Sequence, residues 1–376
     1  MKGRVQRISV KHVWGLLLLI WCIYGSSVSV DAAITTYKST DGKWQYTILE
    51  EENKTAEITK VYDAAVDNKA VTVPANIDGY KVLGIGESVF KGNKTITSVT
   101  LETGIEYIDT ACFNSCHYIT KVTFPSTLKR IGADAFNSCS SLSNVTIPTS
   151  VTEIEGGAFW YTPWLNNARK ERSDHLVIRN HILVDGRMAT GTVTIPDTIT
   201  SISTHAFYGP NSILKESAWS SSVKGGSVQS VIIPSSVTSI GKYAFYKCSS
   251  LKNVTMEEGV VSVGQEAFSK CNKMTNVTIP STVTEIGAGA FWWTPWLDTA
   301  RQKRTDHLVI YNHMLVDGAL ATGELVVPDG VTAIVPYAFC APNKYTASSR
   351  SAAAITSIVI PEGVTSIGYR AFSVCT

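Results

Sequence analysis

The sequence predicts an α/β repeat solenoid, in which short parallel strands and short helical turns stack as successive rungs of one elongated array. Two internal periods support this fold class. The string I-G-x-x-A-F recurs ten times with variations, most often at a spacing of 23 residues, and a longer block is duplicated with an offset of 132 residues. A composition of 44% hydrophobic and 17% charged residues is typical of a folded chain rather than a disordered one.

The first element along the chain is a predicted export signal at residues 1–32. Residues 1–15 carry four basic residues and no acidic one, and the apolar run Leu16–Tyr24 follows. This order is typical of a Sec signal peptide, so we expect cleavage after Ala32 and a secreted or cell-surface chain with no membrane span after cleavage. A signal anchor that stays in the membrane is the alternative, although the apolar core is too short to span a bilayer comfortably.

Residues 33–80 differ from the repeats and predict an N-terminal β-hairpin cap. Two segments rich in strand-forming residues, Trp44–Leu49 and Thr55–Val61, flank a polar turn. A solenoid needs a polar-edged terminal unit because its last rung would otherwise expose the core. At the other end the chain stops directly after a repeat motif without such a cap. We therefore expect the chain to be a fragment of a longer protein.

Residues 81–376 predict the solenoid itself. Each repeat motif ends in a phenylalanine, and these are Phe90, Phe113, Phe136, Phe159, Phe207, Phe245, Phe268, Phe291, Phe339 and Phe372. Between them recurs an L-x-x-L-x-L pattern such as Leu142-x-x-Val145-x-Ile147. This pattern is the strand segment of a leucine-rich repeat, so the sequence predicts a right-handed leucine-rich-repeat rod or horseshoe.

One unit shows how a rung is built. The unit at residues 136–159 predicts a strand over Leu142–Ile147 that Pro148 ends, because proline cannot donate to the next backbone hydrogen bond. Val151 and Ile154 then return to the core on the opposite wall. The glycine pair that follows permits a tight turn into a short helical stretch at residues 158–159. One unit buries too few apolar residues to fold alone, so neighbouring rungs must share a core.

The duplication places two related inserts near residues 160–190 and 292–322. The block FWYTPWLNNARKERSDHLVIRNHILVDG returns as FWWTPWLDTARQKRTDHLVIYNHMLVDG. Thr162 and Pro163 predict the N-cap and first residue of an amphipathic helix. After the helix, Asn180 and its counterpart Asn312 predict the turn of a β-hairpin.

The repeat unit I-G-x-x-A-F-x-x-C-x-x-L-x-x-V-x-I-P-x-x-V-x-x-I, preceded by the entry segment DGYKVLGIGESVF, resembles the BspA-like (Treponema-pallidum-type) leucine-rich repeat family. The resemblance covers about residues 40–376, and its ten occurrences make it specific for the fold. It implies a secreted or surface-displayed binding protein of the kind often described as an adhesin. It implies no single ligand.

The cysteines predict a column of buried thiols rather than disulfides. Five cysteines lie three residues after the repeat phenylalanine, at Cys116, Cys139, Cys248, Cys271 and Cys375. An exported chain permits disulfides, but seven cysteines after residue 32 make an odd number. One cysteine per rung at an inward corner fits a small buried hydrophobic residue better.

Other chemistry has weak support in the sequence. The duplicated Asp174-His175 with His181, and Asp306-His307 with His313, suggests a metal site, but no third ligand follows at a recognisable spacing and a turn separates the two histidines. We therefore expect no metal and no cofactor. No nucleophile, zinc-protease, phosphate-loop or EF-hand motif is present, so we expect no enzymatic activity from these residues.

Charge excludes one class of partner. After residue 32 the chain holds 29 basic and 30 acidic residues, a balance of −1. Such a chain offers no positive surface for nucleic acid or anionic lipid. We expect an extracellular protein or glycan as partner, and the sequence leaves the oligomeric state open.

Two surfaces are candidates for binding. The first is an exposed strand face in which threonines recur at the same rung position, flanked by lysine and asparagine. Its residues are Thr100, Thr123, Thr146, Thr194, Thr255, Thr278, Lys121, Asn144, Asn253 and Asn276. The second is the aromatic cluster of the inserts, Trp160, Tyr161, Trp292 and Trp293. Threonine suits any exposed strand, and a docked amphipathic helix needs aromatic residues inside, so each surface also has a purely structural interpretation.

The sequence as a whole predicts a non-catalytic recognition protein, secreted or displayed at the cell surface, that binds a protein or glycan. Two alternatives stay open. The chain is the targeting arm of a longer protein whose enzyme domain lies beyond residue 376, or it is a structural spacer at the surface.

Overall fold

A computed structural model describes residues 35–208, 227–342, 350–352 and 354–373. The predicted signal peptide and Cys375 lie outside the described residues. Within these residues no helix is long and apolar enough to cross a membrane.

The described elements are short strands and two short α-helices. The first block contains β1 (Thr36–Lys38), β2 (Trp44–Glu50), β3 (Thr55–Val61), the 3-10 helix Asp63–Ala65, β4 (Val66–Asp67), β5 (Ala70–Val73), β6 (Asn76–Ile77), β7 (Tyr80–Ile85), β8 (Ser98–Leu101), β9 (Tyr107–Ile108), β10 (Lys121–Thr123), β11 (Arg130–Ile131) and β12 (Glu153–Ile154). The second contains α1 (Pro163–Ala168), β13 (Val177–Arg179), β14 (Ile182–Asp185), β15 (Gly191–Thr194), β16 (Ser201–Ile202), β17 (Val228–Ile233), β18 (Ser239–Ile240), β19 (Asn253–Met256), β20 (Ser262–Val263), β21 (Asn276–Thr278) and β22 (Glu285–Ile286). The third contains α2 (Pro295–Arg301), β23 (Val309–Tyr311), β24 (Met314–Asp317), β25 (Thr322–Val326), β26 (Ala333–Ile334), β27 (Cys340–Pro342), β28 (Arg350–Ala352), β29 (Ala354–Val359) and β30 (Ser366–Ile367).

The strands form two walls of parallel pairs, which confirms the repeat solenoid. In the first block, β3, β7, β9, β11 and β12 make one wall, and β5, β8 and β10 make the other. A regular rung contributes one strand to each wall, as the repeat pattern predicted, but the rung that contains Leu142 and Ile154 contributes a strand only to the first wall. The apolar side chains of both walls meet between them in a buried core.

A β-hairpin begins each block of the first wall. The predicted N-terminal hairpin is confirmed as the antiparallel pair β2–β3, and β3 then pairs in parallel with β7. The inserts repeat this arrangement, because the hairpins β13–β14 and β23–β24 are each followed by parallel strands. The N-terminal cap and the inserts therefore have the same arrangement: an antiparallel strand pair whose second strand is the first of a new set of parallel strands.

The repeat phenylalanines stack face to face along the core. In the first block the ring centroids of Phe90, Phe113, Phe136 and Phe159 are separated by 4.7, 5.1 and 5.4 Å. The stack ends at α1, where Trp164 lies 4.5 Å from Phe159. The second stack ends in the same way, at the Trp296 ring of α2. The insert helix thus fills the place of the next rung, and its tryptophan closes the aromatic column.

One detail of the predicted repeat unit is wrong. Residues 158–159, expected in a short helical stretch, lie in a tight turn, and the described α-helices occur only in the inserts. The reason is lateral hydrogen bonding. The amide of Phe136 donates to the carbonyl of Ala158 in the next rung at 2.7 Å, and other amides of the turn bond three residues back. Backbone groups used in this way are not available for an α-helix.

The strand predicted over Leu142–Ile147 is also absent. This segment makes no backbone hydrogen bond to β10 among the described residues, although the core residues Leu142 and Val145 are buried. Trp164 of α1 bonds to it from the other side, through its amide to the carbonyl of Leu142 and through its indole N–H to the carbonyl of Val145. The hydrophobic pattern is satisfied, but the segment does not join the sheet.

Cysteine side chains form the predicted buried column. Cys116, Cys139, Cys248 and Cys271 are buried thiols outside any disulfide, and each donates to a phenylalanine carbonyl, as Cys116 does to Phe90 at 2.9 Å. Burial raises the pKa of the Cys116 thiol to about 11. Burial raises the pKa of the Cys139 and Cys271 thiols as well, so these three are protonated and poorly nucleophilic at neutral pH and serve as packing residues.

The inserts are joined to the preceding rung by an asparagine amide. In the turn of the first hairpin, Asn180 has φ +50° and donates from Nδ2 to the carbonyls of Pro148 at 2.6 Å and Val151 at 2.9 Å. Asn312 makes the same two bonds to Pro280 and Val283. A side chain therefore replaces the interrupted backbone pairing.

Substitution of Asn180 by glycine tests this role, because glycine keeps the positive φ and removes the amide. We expect the free energy of unfolding in urea to fall by about 1–3 kcal/mol, since the part-buried carbonyl of Val151 loses its donor and that of Pro148 keeps only the bond from the Val151 amide at 3.1 Å. We expect a similar loss of unfolding free energy for Asn312→Gly. A loss below about 0.5 kcal/mol in both variants would contradict the role.

Candidate functional site

The exposed face of the second wall is the first candidate surface. Its strands align in register, so that Thr72, Thr100 and Thr123 lie side by side across β5, β8 and β10. In the second block Thr194, Ile232, Thr255 and Thr278 align in the same way. The threonines are exposed, while the strand residues on either side of them point into the core. The alternation that the sequence predicted therefore aligns hydroxyl groups across the first block, and in the second block Ile232 interrupts the row between Thr194 and Thr255.

The predicted single column is wrong in one respect: the face consists of three separate patches. The strands β4, β5, β8 and β10 form one sheet, β15, β17, β19 and β21 a second, and β25 with β29 a third. Thr146 belongs to none of them, because it lies in the unpaired segment 142–148. The third patch carries Val326 and Val359, which are 64% and 59% exposed, in place of threonine.

The residues that flank the threonines differ between the first and second patches. In the second, an amide ladder crosses the strands: Asn276 donates to Asn253 at 2.8 Å, and Asn253 donates to Ser230 at 2.9 Å. In the first, the residue between Ser98 and Asn144 is Lys121, which cannot accept a hydrogen bond. Among the described residues the side chain of Asn144 has no hydrogen-bond partner. The ladder is therefore interrupted in the first patch.

The aromatic residues of the inserts are mostly covered by neighbouring side chains. Trp292 is only 8% exposed. The guanidinium of Arg187 lies 4.1 Å from the centroid of the Trp160 ring, and the ammonium of Lys270 lies 4.5 Å from that of Trp293. Tyr161 is half-buried, with φ +60° in the turn before α1. These contacts use ring surface that a sugar or a partner side chain would need.

The insert helices have the predicted structural role. Thr162 caps α1 by accepting a hydrogen bond from the amide of Leu165 at 3.1 Å, and Pro163 is the first helical residue. Trp164, Leu165 and Ala168 are buried, as the amphipathic pattern predicted. Each helix is short, because α1 contains only 6 residues. Most of its stabilisation must therefore come from packing.

Arginine residues of the inserts form buried ion pairs that the sequence analysis missed. Asp185 is 1% exposed and accepts from Arg169 Nε at 2.9 Å and from Arg187 Nε at 2.7 Å. Burial opposes ionisation, but the charges of Arg187 and Arg169 outweigh burial and hold the pKa of Asp185 below its ordinary value. In the second insert Asp317 pairs with Arg301 at 2.7 and 2.8 Å, and Ala319 stands where Arg187 stands in the first.

The duplicated histidines and aspartates are engaged in the hairpins. Arg172 binds Asp174, while His175 and His181 each contact a backbone carbonyl through Nδ1, and the second insert repeats these contacts. No group of three or more histidine, cysteine, aspartate or glutamate residues with metal-binding geometry occurs in the described part of the chain.

A cavity of about 680 Å³ opens in the first patch, between β10 and the unpaired segment. It is lined on one side by Lys121, Thr123 and Phe124, and on the other by Asn144, Thr146 and Pro148. The repeat pattern predicts Lys121, Thr123, Asn144 and Thr146 on the exposed face, but it does not single out Phe124 or Pro148. A comparison of the two duplicated blocks could have indicated this site, because Phe124 is one of the positions at which they differ and its counterpart is Met256.

The fold and the exposed sheet face define a class of protein: a leucine-rich-repeat solenoid with a neutral polar surface. The chain belongs to the BspA-type leucine-rich repeat family, whose model matches six copies over residues 67–182, 220–346 and 343–376. This confirms the family that the repeat motif indicated. None of the curated proteins matches the chain.

Several solved structures are similar to parts of the chain. A leucine-rich cell surface protein from Faecalibacterium prausnitzii has 22% identity and a TM-score of 0.33, with 89% of this chain and 95% of that one covered. The leucine-rich repeat protein of Treponema pallidum has 20% identity and a TM-score of 0.31, with 69% and 90% covered. The pneumococcal vaccine antigen PcpA has 15% identity and a TM-score of 0.30, with 89% and 85% covered.

Proposed function

We propose that this chain is a non-catalytic recognition protein of the cell exterior, which binds an extracellular protein or glycan through the exposed face of its second wall. The observation that carries the proposal is the register of the exposed threonines, such as Thr72, Thr100 and Thr123, on adjacent strands. Aligned, neutral hydroxyl groups form a flat surface on which a partner can make many hydrogen bonds without desolvating a charge.

Two further observations support the sheet face rather than the inserts. Arg187 and Lys270 cover the rings of Trp160 and Trp293, and Trp292 is buried. The helices that carry Trp164 and Trp296 close the phenylalanine stacks, so these tryptophans are occupied in the core. Membership of a family of repeat proteins, together with the predicted signal peptide at residues 1–32, supports a location outside the cell.

A binding screen against arrayed glycans and extracellular-matrix proteins tests the proposal. We expect a saturable interaction that free ligand competes. Thr100→Glu and Thr255→Glu should weaken it by about tenfold or more, because each places a carboxylate in the contact surface. Thr284→Glu is the matched control, since Thr284 is also exposed but precedes β22 of the opposite wall.

The tryptophan variants decide between the two surfaces. Trp160→Ala and Trp292→Ala should leave binding unchanged in molecules that are still folded. Loss of binding in these variants, with an unchanged unfolding midpoint, would instead place the site in the inserts. The absence of any ligand for well-folded protein would contradict a recognition role and favour a structural spacer.

A further inference from the structure

We propose that the opening between β10 and residues 142–148 is a docking slot for one extended, acidic peptide segment of a partner protein, which enters as an additional strand. The inference rests on the proposed function and names the class of partner and the place where it binds. Three observations support it: the unpaired backbone of β10 and residues 142–148, the pairing of the corresponding strands β19 and β21 in the second block, and the positive charge of Lys121.

Both sides of the slot, β10 and residues 142–148, have backbone groups without a strand partner. β10 is the edge of its sheet and pairs only with β8. No backbone hydrogen bond joins residues 120–125 to residues 142–148 within the described structure. A sheet edge of this kind takes up an extended peptide by β-augmentation, in which main-chain hydrogen bonds supply most of the affinity.

The second block shows what occupies this place when the sheet is complete. There β19, the counterpart of β10, pairs in parallel with β21, so that Asn253, Val254 and Thr255 lie opposite Asn276, Val277 and Thr278. The residues corresponding to β21 in the first block are 144–146, which lie across the slot instead. An edge with this sequence and geometry therefore accepts a parallel strand elsewhere in the same molecule.

Two substitutions between the copies account for the opening. Phe124 is half-exposed and packs edge-on against Phe136 at 5.7 Å, whereas its counterpart Met256 is 2% exposed in the core. Lys121 replaces Asn253, which in the second block accepts a hydrogen bond from Asn276. A bulky ring and a missing amide bond both keep the neighbouring segment away from β10.

Charge indicates the chemistry of the segment that enters. Lys121 is exposed, and it is the one charged residue among the described residues that line the slot. It takes part in none of the ion pairs within the described part of the chain. A carboxylate on the incoming strand, opposite Lys121, would provide its counter-charge. The remaining lining is hydroxyl, amide, proline and phenylalanine, which suits a peptide of otherwise neutral side chains.

The chain itself supplies a probe. A synthetic peptide with the sequence of residues 274–281, in which Asp replaces Asn276, should place its carboxylate opposite Lys121 if it binds in the register of β21. We expect saturable binding to the purified protein by fluorescence anisotropy. The Asp peptide should bind about two- to fivefold more tightly than the unmodified peptide, as is typical of an exposed ion pair. A peptide with proline in place of Val277 should not bind, because it loses a backbone donor.

The matched protein variant combines Lys121→Asn with Phe124→Met, which installs the residues of the second block. Both residues are tolerated there, so the variant should fold. We expect the slot to close, the amides of residues 142–148 to become as protected from hydrogen exchange as those of 274–280, and peptide binding to be lost. In the unmodified protein, residues 142–148 should exchange roughly tenfold faster or more. Lys252→Asn, on the closed sheet, should change none of these properties.

Equal protection of the two segments in the unmodified protein would overturn the slot. Peptide binding that survives in the double variant, or an open slot that binds neither peptide, would overturn the proposed occupant. The two proposals fail separately. A glycan or protein ligand that binds the double variant as well as the unmodified protein would refute the slot and leave the sheet face as the site. The absence of any ligand for well-folded protein would refute the recognition role itself.

Discussion

Replacing Phe136 by alanine is expected to lower the free energy of unfolding by about 3–5 kcal/mol. The side chain is fully buried, and its ring stacks between Phe113 at 5.1 Å and Phe159 at 5.4 Å. Alanine leaves a cavity in the middle of a column that has few means to collapse, because the spacing of these rungs is fixed by the pairing of β11 with β12 in the first wall and by the hydrogen bonds between successive turns. Chemical denaturation followed by circular dichroism measures the effect.

Two controls make the result specific for the stack. Phe136→Leu retains most of the volume and should cost less, since only the aromatic contacts and a smaller cavity are involved. Phe372, by contrast, is half-buried and stacks only on Phe339 among the described rings. Phe372→Ala should therefore cost clearly less than Phe136→Ala. Equal losses at the two positions would show that stacking within the column does not determine stability.

Replacing Asp185 by alanine is expected to cost about 3–5 kcal/mol, since two arginines would stay behind in a part-buried site without a counter-charge. The side chains of Arg169 and Arg187 are only 16% and 10% exposed. The second insert provides the control, because Asp317 pairs with Arg301 there and Ala319 replaces the second arginine. We expect Asp317→Ala to destabilise the protein less than Asp185→Ala does. The opposite order would contradict this account.

The same ion pair predicts a pH dependence. The pKa of Asp185 in the folded chain lies below its ordinary value, which is about 3.9 in an unfolded chain. A carboxylate with a lowered pKa contributes stability that is fully present above the unfolded pKa and is lost as the pH falls through the folded pKa. The free energy of unfolding should therefore fall below about pH 4, and Asp185→Ala should reduce the slope of that fall.

The repeat motif was sufficient to predict much of the fold. The repeat phenylalanines, and the cysteines of the units that carry one, occupy the core because their positions relative to the chain reversal are the same from unit to unit, so one pattern fixes many similar environments. The insert helix was predictable for a similar local reason. Thr162 and Pro163 are an N-cap and a first helical residue, and the apolar spacing of Trp164, Leu165 and Ala168 can be satisfied only by burying one face.

The candidate site was predictable only in part. Alternation along a strand established that the threonines face outward, since side chains on a strand point to opposite faces in turn. It did not establish whether neighbouring strands pair. That depends on what stands next to each strand in space, such as Phe124 against Phe136, and on side chains from the insert, such as Trp164 on the carbonyl of Val145.

By itself the sequence determined the family, the register of the rungs and the direction in which each repeated side chain points, because these follow from short-range periodicity repeated many times. The tertiary structure alone decided where the second wall is interrupted, that Asp185 is neutralised by two arginines, and that Trp160 lies beneath Arg187. Each of these depends on contacts between residues distant in the chain or on small differences between two nearly identical copies. A repeat pattern describes only what the copies share, so it does not show the positions at which they differ. Those positions determine where the surface departs from a regular repeat.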